Sequence, residues 1–242
     1  MKNLNCSIRF DRLECLDYPK GRKSKPYLWF VFFKVDGSCV RLTDKFRLEG
    51  DGIFYHSEGS HGNLGGKEVG TGEHITIPSK VGGCELQLVP IHVPIFEQKT
   101  AATLGILAVL LEEHNVSDGG AEAGHNKLKN EVAIAVSESL EAFDPREIKF
   151  DDIEGSIQEY FQKRMDPYMV SIPKRVEKTI QKEQTLVQNL WSLVSKDQFI
   201  GVHVWNFSQN QLMLHNGRTE LACEWNVPKL GHWKLRGEIQ AS

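Results

Sequence analysis

Apolar and polar residues alternate along the first part of this chain, switch to a helical spacing in the middle, and return to alternation near the end. Residues 4–17 and 27–35 read as strands. Leu28 to Val35 is nearly all apolar or aromatic, as expected of a strand covered on both faces. Between them Tyr18-Pro19-Lys20-Gly21-Arg22-Lys23-Ser24-Lys25-Pro26 is a turn-forming, basic loop. Asp36-Gly37 predicts a hairpin, followed by a strand around Cys39 to Leu42. Residues 50–72, rich in Gly, Ser and His, read as a long mobile surface loop with a strand at Ile53–His56. His74 to Pro78 and Cys84 to Val89 are further strands, divided by Gly82-Gly83. Pro90 and Pro94 restrict Ile91–Ile95 to an edge position or to no strand. Thr103 to Glu112 is a candidate buried strand.

The period then changes. Leu128, Val132, Ala135, Val136, Leu140 and Phe143 recur at spacings of three and four, which predicts an amphipathic helix over 121–143. Asp144-Pro145 ends it. Asp151 with Glu154 resembles a helix cap, and Ile153, Ile157, Tyr160, Phe161 and Met165 line a second helix over 151–166. Val176, Ile180, Val187, Leu190, Trp191 and Val194 mark a third over 174–195, whose coiled-coil-like face is a hint of homo-oligomerisation. Strands return at Phe199–Phe207, Thr219–Trp225 and Trp233–Ile239. Strands, helices, then strands describes either separate domains or one domain with an insertion.

Composition narrows the class. The chain has 242 residues, enough for a sizeable core without staples. A net charge of -3 lacks the basic excess of a dedicated nucleic-acid binder. Residues 100–195 carry 16 Asp/Glu against 10 Lys/Arg, so the helical middle is the acidic part. The five cysteines form no CxxC, which fits free thiols in a reducing compartment. The first six residues lack the apolar run of a signal peptide, and apolar runs such as Ile106 to Leu111 are too short to span a bilayer. A cytoplasmic chain, peripheral at a membrane in one reading, is expected.

Three short segments resemble one family. Asp17, then a short loop, then Pro26-Tyr27 and an apolar strand resembles the opening of C2 domains, which are lipid-binding modules. Lys196-Asp197-Gln198-Phe199-Ile200-Gly201 is similar to the same family's Lys-Asp-Asp-Phe-Ile-Gly, just after its third calcium loop. Ile106–Leu111 followed by Glu112-Glu113-His114-Asn115 is similar to the strand entering that loop. The resemblance implies an α+β fold: an antiparallel β-sandwich of residues 1–115 and 196–242, with a three-helix insertion over 116–195. It departs from the family where calcium binds. The family's second Asp of loop one is Lys25, and its last Asp of loop three is Gln198. Calcium takes about six to eight oxygen ligands, so weak binding or none is expected there.

Candidate chemistry is sparse. Lys20, Arg22, Lys23 and Lys25 stand where C2 domains touch lipid, and each can contribute about 1 kcal/mol at an anionic surface. The alternative is a turn kept polar for solubility. Asp17, Glu112, Glu113, His114, Glu122 and His125 are the candidate ligands for calcium or another divalent metal. Glu122 and His125 share a helix face, but a di-iron site needs a second such pair on another helix and two more Glu. A capped first turn with an exposed His is the simpler reading. Gly65-Gly66-Lys67 fails the phosphate-loop pattern, since Glu68 stands where Ser or Thr is needed. No nucleophile signature occurs. The leading expectation is a non-enzymatic C2-like module that docks to an anionic membrane or a protein partner, without calcium. Its competitors are an oligomeric assembly subunit acting through its helices and a metal-dependent enzyme using the Glu/His cluster.

Overall fold

Strict alternation of apolar and polar side chains makes Leu4–Asp17 a half-buried strand, β1, with Leu4, Cys6, Ile8 and Phe10 inward and Asn5, Ser7 and Arg9 outward. Our computed structural model describes residues 1–43, 47–94, 98–114, 117–142 and 198–242. The helices expected over 151–166 and 174–195, and Lys196 and Asp197, lie outside the described residues. The described fold is α+β, with antiparallel sheets.

The next strand in sequence, β2 (Pro26–Val35), is buried at all ten positions. It is followed by β3 (Val40–Leu42), β4 (Leu48–Gly50), β5 (Ile53–His56), β6 (His74–Thr76), the single helical turn α1 (Ser79–Gly82) and β7 (Gly83–Leu88). Then come β8 (Ile91–Val93), β9 (Gln98–Thr100), β10 (Thr103–Glu112) and the helix α2 (Asp118–Glu141). The described chain resumes with β11 (Gln198–Ser208), a short helix α3 (Gln209–Leu212), β12 (Arg218–Val227) and β13 (Gly231–Ala241).

These strands form two main sheets. An outer sheet runs β12-β13-β1, with β6 and β7 sharing the far flank of β1. A central sheet runs β11-β10-β2-β5. The sheets share one apolar core, in which Phe10 stacks on Phe30 at 4.7 Å between ring centroids and meets Trp205 at 5.1 Å. Such an arrangement is compatible with a β-sandwich.

The central sheet is apolar on its second face too. There Trp29, Val31, Phe33, Leu107 and Val109 pack in a second core with Leu128, Val132, Val136 and Leu140 of α2. This is why β2 and β10 read as continuous apolar runs. Glu112 and Gln198 are paired at the ends of the neighbouring strands β10 and β11, so residues 113–197 connect two adjacent strands. The helix α2 starts where that connection leaves the sheet and belongs to the same body.

Asp36-Gly37 does not turn β2 into a hairpin with the next strand, because β3 pairs with β4 while β2 pairs with β10 and β5. Instead Asp36 and Gly37 form a joint with the turn after β7. The Gly37 N–H donates to the Val89 carbonyl at 2.7 Å, and the Val89 N–H donates to Asp36 Oδ2 at 2.9 Å. A Cβ on Gly37 would lie 2.3 Å from the Pro90 carbonyl oxygen, which explains the glycine. Residues 57–73 also depart from a mobile surface loop, since His61, Asn63, Leu64 and Val69 are buried.

Candidate functional site

One end of the two-sheet body gathers the basic loop with Asp17, Glu112, Glu113 and His114. Asp17 pairs with His232, and Pro26 and Gln198 both pair with Glu112, which places the β1–β2 loop, the start of α2 and the β12–β13 turn at this end. The glycine-rich segment after β5 joins them, because Ser24 and Val69 exchange backbone hydrogen bonds at 2.9 and 2.8 Å.

The β1–β2 loop is held from several sides. Gly21 turns it with φ +76, and the Arg22 N–H donates to the Pro19 carbonyl at 3.0 Å. Tyr18 is buried, meets the Trp233 ring edge-on at 6.2 Å, and donates its hydroxyl to Glu112 Oε1 at 2.6 Å. Burial, and next the Glu112 carboxylate, push the Tyr18 phenol well above its usual range. The Glu113 N–H donates to the Lys25 carbonyl at 2.9 Å, and the Tyr18 N–H donates to Thr71 Oγ1 at 2.9 Å. The backbone is thus fixed while Lys20, Arg22, Lys23 and Lys25 are all exposed.

Of these four, Lys23 lies 3.4 Å from Glu73, whose carboxyl is held low by the Gly70 N–H and then by Lys23. Lys20, Arg22 and Lys25 form no ion pair among the described residues. Lys67 in the glycine-rich segment and Lys229 in the β12–β13 turn are exposed at the same end. Sequence reasoning did not group them with the loop, because each lies more than forty residues from it along the chain.

The acidic and histidine candidates are dispersed. Glu112 is 4 % exposed and engaged by Tyr18, and its buried Oε2 has no hydrogen-bond partner among the described residues. Asp17 is exposed, near Thr71 Oγ1 at 3.5 Å. His114 is exposed and its Nδ1 lies 3.1 Å from the Glu113 carbonyl. Glu122 accepts the Gly59 N–H at 2.8 Å. His125 is 0 % exposed and stacks on Trp29 at 5.5 Å. Among the described residues no three His, Cys, Asp or Glu side chains form a group that could hold a metal ion. Burial pushes Cys6, Cys15 and Cys39 up to about 11 and Cys84 and Cys223 up to about 12, so none of these free thiols is a thiolate at neutral pH.

Glu122 and His125 do share a helix face, and that face is turned toward the sheet. Ser117 caps the first turn of α2, accepting the Gly120 N–H at 3.2 Å. The expected exposed His is instead enclosed. Its Nε2–H donates to the Phe30 carbonyl at 3.0 Å, which leaves Nδ1 as a bare, buried lone pair. A Cβ on Gly59 would lie 2.6 Å from that Nδ1, so no space remains for a partner.

Burial, with smaller contributions from His56 and Lys129, lowers the His125 pKa from 6.5 to about 4. The folded state therefore keeps a neutral ring where the unfolded chain binds a proton. Stability from this group is complete above 6.5 and is lost as pH falls toward about 4. Acidification across that window is expected to cost up to about 3 kcal/mol from His125 alone. Thermal melts of the chain and of His125→Phe at pH 7 and 4.5 check this. The variant should show a smaller acid-induced drop in melting temperature, and equal drops would refute the assignment.

No helix among the described residues is long and apolar enough to cross a membrane. No protein-family model, no curated protein and no solved structure matches the chain.

Proposed function

We propose that this chain is a C2-like, non-enzymatic binding module that docks on an anionic membrane surface through its β1–β2 loop, without calcium. The observation that carries the reading is the loop itself: Lys20, Arg22, Lys23 and Lys25 are exposed on a backbone tied to three neighbouring segments. A pre-formed patch loses little conformational entropy when it meets a surface. Lys67 and Lys229 widen the patch at the same end. No large hydrophobic side chain of the loop is exposed, since Tyr18 is buried, so the contact is electrostatic and made with headgroups.

Calcium is left out because Glu112, the acid best placed to bridge the β1–β2 and β10–α2 connections, is already engaged by Tyr18. The exposed cation Lys25 on the same loop further disfavours a divalent cation there.

Changing Lys20, Arg22, Lys23 and Lys25 to Gln is expected to lower partitioning onto phosphatidylserine-containing vesicles by about a hundredfold. That corresponds to about 1 kcal/mol for each of the three cations free of Glu73. Co-sedimentation with anionic and neutral vesicles, at low and high salt, with calcium and with chelator, measures it. Binding that is salt-sensitive, chelator-insensitive and confined to anionic vesicles supports the reading. Absence of binding to any vesicle refutes it and leaves a protein partner as the target of this end.

A further inference from the structure

We propose that the open edge of β12 is a second docking site, which accepts an extended, basic strand from a protein partner as an added strand of the outer sheet. Among the described residues β12 pairs only with β13, in unbroken register from Arg218 to Val227. Among the described residues no backbone group of β12 is bonded outside that hairpin.

Two other flanks of the sheets end in short strands. The far flank of β1 is divided between β6 and β7, with α1 inserted between them. On the central sheet, β5 pairs with β2 only from Val31 to Lys34. Beyond it, side chains take over the backbone of β2: Asn63 pairs with both polar groups of Leu28, Ser57 Oγ accepts the Phe30 N–H, and His125 binds the Phe30 carbonyl. The edge of β12 has no proline, no lysine and no bulge over ten residues, and its charged side chains are Arg218, Glu220 and Glu224. An edge of this kind is a template for strand addition.

Charge selects the occupant. The outward side chains of β12 include Glu220 and Glu224, but Glu224 is already paired with Lys234 at 2.5 Å and bonded to His232 at 3.2 Å, which leaves Glu220. Glu220 is exposed and faces Glu238 directly across the hairpin, while Glu238 is itself taken by Arg218 at 2.6 Å. Glu220 has no ion pair among the described residues and a like charge as its cross-strand neighbour, which is unfavourable. A cation on an incoming strand beside Glu220 relieves that repulsion. The inward side chains Leu221, Cys223 and Trp225 border the core, so the same strand carries apolar residues at alternate positions. A second copy fits poorly, because the one cation on its own β12 edge, Arg218, is already taken by Glu238.

The test uses the full chain and a ten-residue peptide alternating valine and lysine, with a valine–glutamate peptide as control. Affinity is read by fluorescence anisotropy and location by amide hydrogen exchange. The lysine peptide is expected to bind and to slow exchange within Arg218–Val227. Binding should weaken about fivefold in the Glu220→Gln variant, and should vanish when alternate peptide nitrogens on the bonding side are methylated. The glutamate peptide should not bind. Unchanged exchange in β12, or affinity that survives methylation of either side of the peptide, overturns the proposal. Concentration-dependent protection of β12 without peptide also overturns it, by assigning the edge to a second copy.

Discussion

Replacing Asp36 with alanine is expected to destabilise the fold by about 3–5 kcal/mol, because it leaves a buried ammonium without its counter-ion. The side chain of Lys34 is 7 % exposed and that of Asp36 is fully buried, with 2.8 Å between Nζ and Oδ2. Each ion is saturated. Lys34 Nζ also donates to Ser38 Oγ at 3.0 Å and to the Gln87 carbonyl at 2.8 Å. Asp36 Oδ1 accepts the Ser38 N–H at 3.0 Å and the Ser38 hydroxyl at 2.5 Å, while Oδ2 accepts the Val89 N–H at 2.9 Å. Burial by itself would raise the Asp36 carboxyl, but the bonds from Lys34, Ser38 and Val89 outweigh it and hold the pKa below the usual value.

The sign of the pH dependence follows. Asp36 contributes its stability above the ordinary aspartate value of 3.8 and loses it as pH falls through the lower folded value. This window lies below the one set by His125, so acid should destabilise the chain in two separable steps. Urea unfolding of Asp36→Ala, Lys34→Met and the double variant measures the pair. The single losses should not add, since either substitution already breaks the same network. Losses under about 1 kcal/mol in both single variants would show that the pair is not the joint described. The joint sits at the end opposite the basic loop, so vesicle binding below the melting temperature should be unchanged.

That joint also shows where sequence reading stops. The apolar run from Leu28 to Val35 announced a strand covered on both faces, and the structure covers it with the outer sheet on one side and α2 on the other. The spacing of Leu128, Val132, Val136 and Leu140 announced α2 itself. Both signals are local and periodic. Lys34 interrupts the apolar run without disturbing its period, and its partner Asp36 lies within a dipeptide that more often marks a hairpin. The decisive contacts, to Gln87 and Val89, come from a segment 53 residues away and leave no local trace.

The candidate site divides in the same way. A run of four cations between two strands is visible as sequence, and so is its exposure on a turn. The fate of Glu112 was not legible, because its acceptor role depends on Tyr18, 94 residues earlier. His125 was legible as a neighbour of Glu122 on one helix face. Only the packing of α2 shows that this face is turned inward, against Gly59 and Phe30.

Asn63 carries the second large effect. It lies in the segment that reads from sequence as a loose glycine-rich loop, yet it is buried and substitutes for a missing strand. Its Oδ1 accepts the Leu28 N–H at 3.4 Å, and its Nδ2 donates to the Leu28 carbonyl at 2.6 Å and to the Glu58 carbonyl at 3.0 Å. Asn63→Ala strands these buried backbone groups, and a loss of about 2–4 kcal/mol is expected. Asn63→Asp keeps an acceptor for Leu28 N–H but turns a carboxylate toward two carbonyl oxygens, so at neutral pH it should be the worse of the two. A protonated Asp regains one donor, so its deficit relative to the native chain should shrink as pH falls. Unfolding of both variants at pH 7 and 5 distinguishes these outcomes, and an Asp variant as stable as the native chain at pH 7 would dismiss the strand-mimic role. The effect reaches the docking end because the same segment continues to Val69, which holds Ser24 of the basic loop. Loosening it should speed amide exchange at Ser24 and Val69 while leaving the net charge of the patch unchanged. Vesicle binding should then weaken in Asn63→Ala even at temperatures where the chain stays folded, which separates the rigidity of the loop from its charge.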